Sequence, residues 1–188
     1  MSDRKQQILE VAAELLQTKG FSGFSYADLS VRLGITKASI HHHFPSKSDL
    51  GLSLVGHFGE ILGSHIATLD QNSQRPQDRL DGYFALAESV LHSGHKICPA
   101  GCLQADYNNI TPAMQEALEV LCDKARAWLA GVLEDGRSAG VWAFRGSASD
   151  QALCTMAAVQ GALMLSRAHG ATSFHAVLRQ LRESLRPK

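Results

Sequence analysis

Metal-ligating and nucleophilic side chains gather in two stretches of this 188-residue chain. His41, His42 and His43 stand in a row, and His92, His95, Cys98 and Cys102 follow one another at close spacing. Imidazole and thiolate are the donors zinc prefers, and a thiolate also reacts with oxidants and electrophiles. The three consecutive histidines cannot close on one ion from a single helix, because neighbouring helical residues point about 100° apart. The second cluster is interrupted by Gly94, Pro99 and Gly101, so no metal site is expected there either. Cys98 and Cys102 are candidate redox residues, with Lys96 and two histidines close in sequence to favour a thiolate; the other reading is a pair of buried, inert thiols. Cys122 and Cys154 fall on apolar stretches and read as core.

A second chemistry is anion binding. Ser25, Thr36 and Lys47 stand at expected helix starts, where unpaired amides and the positive end of the helix dipole can hold phosphate oxygens. Lys37, Ala38, Ser39, His41 and His42 are the outward candidates on the short helix between them. The elements that would position these side chains are legible. Ser25 and Asp28 are spaced as a capping box, Leu29 and Leu33 form an apolar face, and Gly34 suits a left-handed helix end. Thr36 is a good N-cap for a helix over residues 37–43, with Ile40 and Phe44 turned inward and Ile35 tucked beside them. Pro45 stops that helix, and Ser46 with Asp49 makes a second capping box. Helix, glycine turn and short polar helix make a helix-turn-helix, whose second helix enters the major groove of double-stranded DNA.

This stretch resembles the TetR/AcrR family of transcriptional repressors. The resemblance rests on the capped helix, Gly34-Ile35-Thr36, the aromatic-rich helix ending in Phe44, and Pro45-Ser46-Lys47 with Leu50. Upstream it extends through Ile8, Leu9, Ala12, Ala13, Leu16, Gly20 and Phe21. Where the family often has glycine and tyrosine, this chain has Ala38 and His41; an imidazole can also donate to a phosphate oxygen. The resemblance implies an N-terminal helix-turn-helix domain over residues 1–50 and a helical ligand-binding and dimerisation domain over 51–188. It also implies a homodimer paired through the last two helices, a pseudo-palindromic operator, and release by a small-molecule effector. Gly101-Cys102-Leu103 is similar to a branch of the family that answers to electrophiles.

Charge does not announce the partner. Lys and Arg equal Asp and Glu at 18 each, so DNA affinity has to come from placement and from pairing two subunits. Four cysteines do not make a secreted disulfide framework, the N-terminus has no signal-peptide core, and no apolar run suggests a membrane span. The expectation is a soluble cytoplasmic protein without a cofactor. An enzyme is not expected, since no H-E-x-x-H pair, phosphate-cradling glycine loop or nucleophile–base set occurs. A small all-α enzyme built on residues 92–102 is the weaker alternative.

The remaining periodicity is helical throughout, so the fold class is all-α. Residues 4–19 predict a helix with one buried stripe, and residues 50–69 a longer one weakened by glycines 51, 56, 59 and 63. Residues 70–77 read as a polar loop, followed by helices over 77–91, around 102–108, from Thr111-Pro112 to about 136, and over 150–169 and 172–185. Residues 150–169 are apolar on more than one side, and Leu163 is chosen there as a dimer-face position exposed in the single chain. Tyr83, Tyr107 and Trp128 are the expected effector-binding residues, because each adds a polar tip to an apolar wall.

Overall fold

Helix α1 (Asp3–Lys19) buries Ile8, Leu9, Ala12, Leu15 and Leu16 along one stripe and ends at Gly20. The structure is a computed structural model that describes residues 3–94 and 96–187, and among them it is all-α. Helices α2 (Tyr26–Leu33), α3 (Lys37–His43) and α4 (Lys47–Asn72) follow, then α5 (Pro76–His92), α6 (Pro99–Ala105), a 3-10 turn at Tyr107–Asn109, α7 (Pro112–Ser138), α8 (Ala148–His169) and α9 (Ala171–Ser184). No helix of the described residues is long and apolar enough to cross a membrane.

The chain divides into two compact units, Met1–Ile61 with Cys98–Leu121, and Leu62–Ile97 with Cys122–Lys188. In the first, Leu29, Ile40, Phe44, Leu50 and Leu54 close a core over the α1 stripe. Salt bridges from Lys19 to Asp28 at 3.2 Å and from Arg32 to Glu14 at 2.5 Å tie α2 to α1 at the surface. Segment 98–121 completes this unit: Cys102, Leu103, Met114 and Leu118 are buried. Gly51 lets the Met114 thioether of α7 lie directly against α4, where a Cβ would come within 2.6 Å of its sulfur.

In the second unit, Leu80 and Phe84 of α5, Leu129 and Leu133 of α7, Val159 and Leu163 of α8, and Phe174 and Leu178 of α9 are buried. Ser147 caps α8 by accepting the Asp150 amide. Polar ties join three helices: Arg79 reaches Asp135 at 2.7 Å and Asp70 at 3.8 Å, and the Trp128 indole donates to Asp70 at 3.1 Å.

Three expectations need correction. The polar loop is shorter than residues 70–77, because α4 runs on to Asn72 with Asp70 held by Trp128 and Arg79. Partners far off in sequence overrode a polar composition. Leu163 is 2% exposed and belongs to the core; the exposed large apolar residues of α8 are Leu153, Met164 and Leu165. Cys154 is exposed rather than core, one position round the helix from Leu153.

Candidate nucleic-acid interface

The geometry of the N-terminal head follows from its caps. Ser25 accepts the Ala27 amide at 3.2 Å, while Asp28 accepts the Ser25 amide at 2.8 Å and hydroxyl at 2.7 Å. Those bonds hold the Asp28 carboxyl well below the ordinary carboxylate range, the Ser25 hydroxyl being the largest cause and its amide the next. Gly34 takes φ 63° and returns its amide to the Ser30 carbonyl, a left-handed end that glycine adopts without a Cβ penalty. Thr36 caps α3 by accepting the Ser39 amide at 3.2 Å. At the next junction Ser46 and Asp49 exchange amide bonds at 2.9 and 3.1 Å.

Burial of Ile40 and Phe44 fixes which side of α3 faces out. Lys37, Ala38, His41 and His42 are exposed and Ser39 is half-buried. Ser25 and Thr36 are exposed too, although each hydroxyl already serves its cap. His41 packs edge-on against Tyr26 with ring centroids 4.7 Å apart, and its Nδ1 lies 3.1 Å from the Pro45 carbonyl, which occupies one of its two ring nitrogens. His42 contacts only His43 among the ring pairs described, at 5.2 Å.

Lys47 is expected among the phosphate-binding positions at helix starts, and its side chain is half-buried. The ammonium turns inward, donating to the Phe21 carbonyl at 2.6 Å and the Phe24 carbonyl at 2.5 Å, and sits 4.7 Å from both phenyl centroids. Burial lowers its pKa from the ordinary lysine value, opposed by Asp106 and Asp28. Its spacing at a helix start was visible in sequence; the two carbonyls that capture it were not.

Two contributors escaped the sequence reading. Tyr26 donates its hydroxyl to the Phe44 carbonyl at 2.9 Å and the Ser46 carbonyl at 2.6 Å, clamping the end of α3. Burial, helped by Asp49, pushes its phenol up to about 12, so the clamp stays protonated. Asp106 accepts the Ser22 amide at 3.0 Å and so binds segment 98–121 to the α1–α2 turn. Burial alone would raise the Asp106 carboxyl, but bonds from Ser22, Asn109 and Phe21 hold it lower.

These geometries match known proteins. The profile of bacterial regulatory proteins of the tetR family covers residues 8–54, from α1 into α4. A crystal structure of a TetR-family transcriptional regulator from Agrobacterium tumefaciens is 34% identical, covers 98% of both chains, and has a TM-score of 0.93. This chain belongs to the TetR family. A TetR regulator from Legionella pneumophila is 27% identical over 99% of both chains, with a TM-score of 0.89. The HTH-type transcriptional repressor KstR2 of Mycobacterium tuberculosis is 25% identical over 95 residues, 50% of this chain and 48% of its own length. DhaR, a repressor of the same type from a Mycobacterium species, is 28% identical over 55% of this chain and 50% of its own. The chain thus spans about half the length of the curated relatives it matches.

The expected effector residues fall in both compact units. Tyr83 and Trp128 lie in the second unit with ring centroids 6.4 Å apart, but Tyr107 is 49% exposed and belongs to the first. A cavity of about 250 Å³ in the second unit is lined by Gln77, Leu80, Asp81, Val141, Trp142, Arg182 and Arg186. The His92–Cys102 series is divided as well: His92 is in the second unit, Cys98 and Cys102 in the first, and His95 lies outside the described residues. Cys102 is buried, and burial pushes the Cys98 thiol up, against the amides of Gly101 and Ala100.

Proposed function

We propose that this TetR-family chain is a ligand-responsive transcriptional repressor that binds a pseudo-palindromic operator as a homodimer. Residues 1–50 read DNA, and residues 51–188 hold the effector and pair the subunits. The observation that carries this reading is α3, locked by caps at both ends and by Tyr26, with Lys37, Ala38, Ser39 and His42 left on its outer side. A helix so fixed loses little entropy on entering a major groove. Leu153, Met164 and Leu165 stay exposed on α8, an apolar surface that a second copy would cover.

An effector in the second unit is favoured near Trp128, Tyr83 and Arg79. The Arg79 side chain is 13% exposed, and its Nε is buried without a hydrogen-bond partner among the described residues. A small, largely apolar molecule with an acid group would satisfy that nitrogen and stack on the two rings. The cysteine-based alternative is less favoured, because Cys102 is buried away from reagents and the Cys98 thiol, its pKa raised by burial, carries little thiolate.

Gel shifts on the DNA upstream of the protein's own reading frame test the proposal. Expected are one dimer per site, affinity that falls steeply with salt, and altered base preference in Ser39→Ala and His42→Ala. Operator binding unchanged in a Lys37, Ser39 and His42 triple alanine variant would overturn the assignment to α3.

A further inference from the structure

Glu88 and His92 stand four residues apart on α5, one above the other on the same helical face. His175, in the second turn of α9, comes against that face with Nδ1 3.7 Å from Glu88 Oε1. A carboxylate oxygen and one ring nitrogen from each histidine all lie within 4.8 Å of one another. His92 and His175 are exposed and Glu88 is half-buried, so an ion could enter directly from water.

The helices that carry these donors are already fastened together. At the start of α5, Asp81 accepts from Arg182 near the end of α9 at 2.8 Å, and the same guanidinium lies 4.8 Å from the Phe84 ring. Phe84 of α5 and Phe174 of α9 are both buried. Glu88, His92 and His175 therefore sit at the other end of this antiparallel helix pair. A surface ion pair would explain Glu88 with one histidine. The four-residue spacing brings His92 to the same carboxylate, so three donors from two helices meet at one point.

We propose that Glu88, His92 and His175 form a binding site for a divalent transition-metal ion, zinc foremost, which staples the last turn of α5 to the second turn of α9. Two imidazoles and one carboxylate suit zinc and its neighbours, whereas magnesium and calcium take all-oxygen sets. Donors bound at zinc distances lie roughly 3.4 Å apart in a tetrahedral shell, so each group here has to travel about 1 Å or less. Rotamer changes of two exposed histidines supply that movement. The fourth position is left to water, as in a site with three protein ligands. In sequence this group is hidden: His175 is far along the chain from His92, and the nearer His95 and cysteines draw attention away from it.

The experiment uses the full chain with any histidine tag removed, titrated with zinc against a chromophoric chelator and separately with cobalt. The expected result is uptake of one ion per chain, with visible cobalt bands and no thiolate charge-transfer band. His92→Ala and His175→Ala should each weaken zinc at least about tenfold, a loss already typical for groups one shell further out. Zinc should raise the melting temperature of the wild type and leave that of the double variant unchanged. Circular dichroism checks that the variants, altered at exposed positions, remain folded. Absence of zinc uptake by the wild type would overturn the proposal. So would uptake that survives undiminished in the double variant, which would place the metal elsewhere.

Discussion

Replacing Lys47 with methionine separates a structural lysine from a phosphate-binding one. The substitution keeps the length of the stem against Phe21 and Phe24 but removes the ammonium. Lost with it are two charge-assisted bonds, at 2.6 and 2.5 Å, and two ring contacts at 4.7 Å. A hydrogen bond from a charged group contributes about 1.5–3 kcal/mol and an exposed cation–ring contact about 0.5–1 kcal/mol. The sum is an upper bound, because one ammonium makes all four contacts, water can reach the half-buried carbonyls, and the thioether still packs on the rings. A net loss of about 2–3 kcal/mol remains, which for a chain of this size lowers the melting temperature by roughly 4–12 °C.

Thermal melts followed by circular dichroism measure the stability loss, and operator affinity at several salt concentrations measures the phosphate count. With an inward Lys47, Lys47→Met melts earlier while the slope of log affinity against log salt stays that of the wild type. A lysine that neutralised a phosphate would instead reduce that slope by about 0.9 per subunit. Unchanged melting together with a shallower slope would refute the reasoning from the two carbonyls.

Three further outcomes follow from the same geometry. Asp106→Asn should lower stability at neutral pH. Because the folded carboxyl titrates below its ordinary value of 3.8, this contact stabilises above that pH and is lost as pH falls through the folded value, so the variant's acid unfolding curve should be flatter there. Leu165→Glu alters a side chain 50% exposed in the single chain, so the fold should survive. A carboxylate buried at a subunit interface costs several kcal/mol, and light scattering should find monomers that no longer bind operator; a variant that stays dimeric puts the interface off this face of α8. Gly136→Ala would drive a Cβ into the Trp142 indole, a rigid ring that is itself buried, and should cost about 1–3 kcal/mol in chemical denaturation.

Local signals carried most of the head. The two capping boxes, Gly34 and the Thr36 cap depend on residues three or four apart, and that spacing is visible in the sequence. The start of α7 was legible at Thr111-Pro112, whereas the short helix expected around 102–108 is α6 at Pro99–Ala105, opened by a proline that reads in sequence as an interruption, and α8 starts two residues before 150 because Ser147 caps it. What could not be read were contacts across long separations. Lys47 meets carbonyls 26 and 23 residues away, and Asp106 meets an amide 84 residues away. Leu163 was misplaced because α8 is apolar on several sides, and periodicity alone does not say which side the chain covers for itself.

The same distinction bears on how an effector could reach the reading head. α4 begins in the first compact unit and ends in the second, and α7 does the reverse of a loop by crossing between units as unbroken helix. In the proposed repressor, α4 is the backbone element whose Asp70 end lies on the effector side of the chain. Asp70 is held there by the Trp128 indole at 3.1 Å and lies 3.8 Å from Arg79. An acidic effector that drew Arg79 or Trp128 to itself would remove one of those ties. A tenfold loss of operator affinity requires about 1.4 kcal/mol of preference for the DNA-incompetent state. One hydrogen bond to a charged group is worth about 1.5–3 kcal/mol, so in the proposed repressor a tie at Asp70 that is kept in one state and lost in the other would be of the size the switch needs.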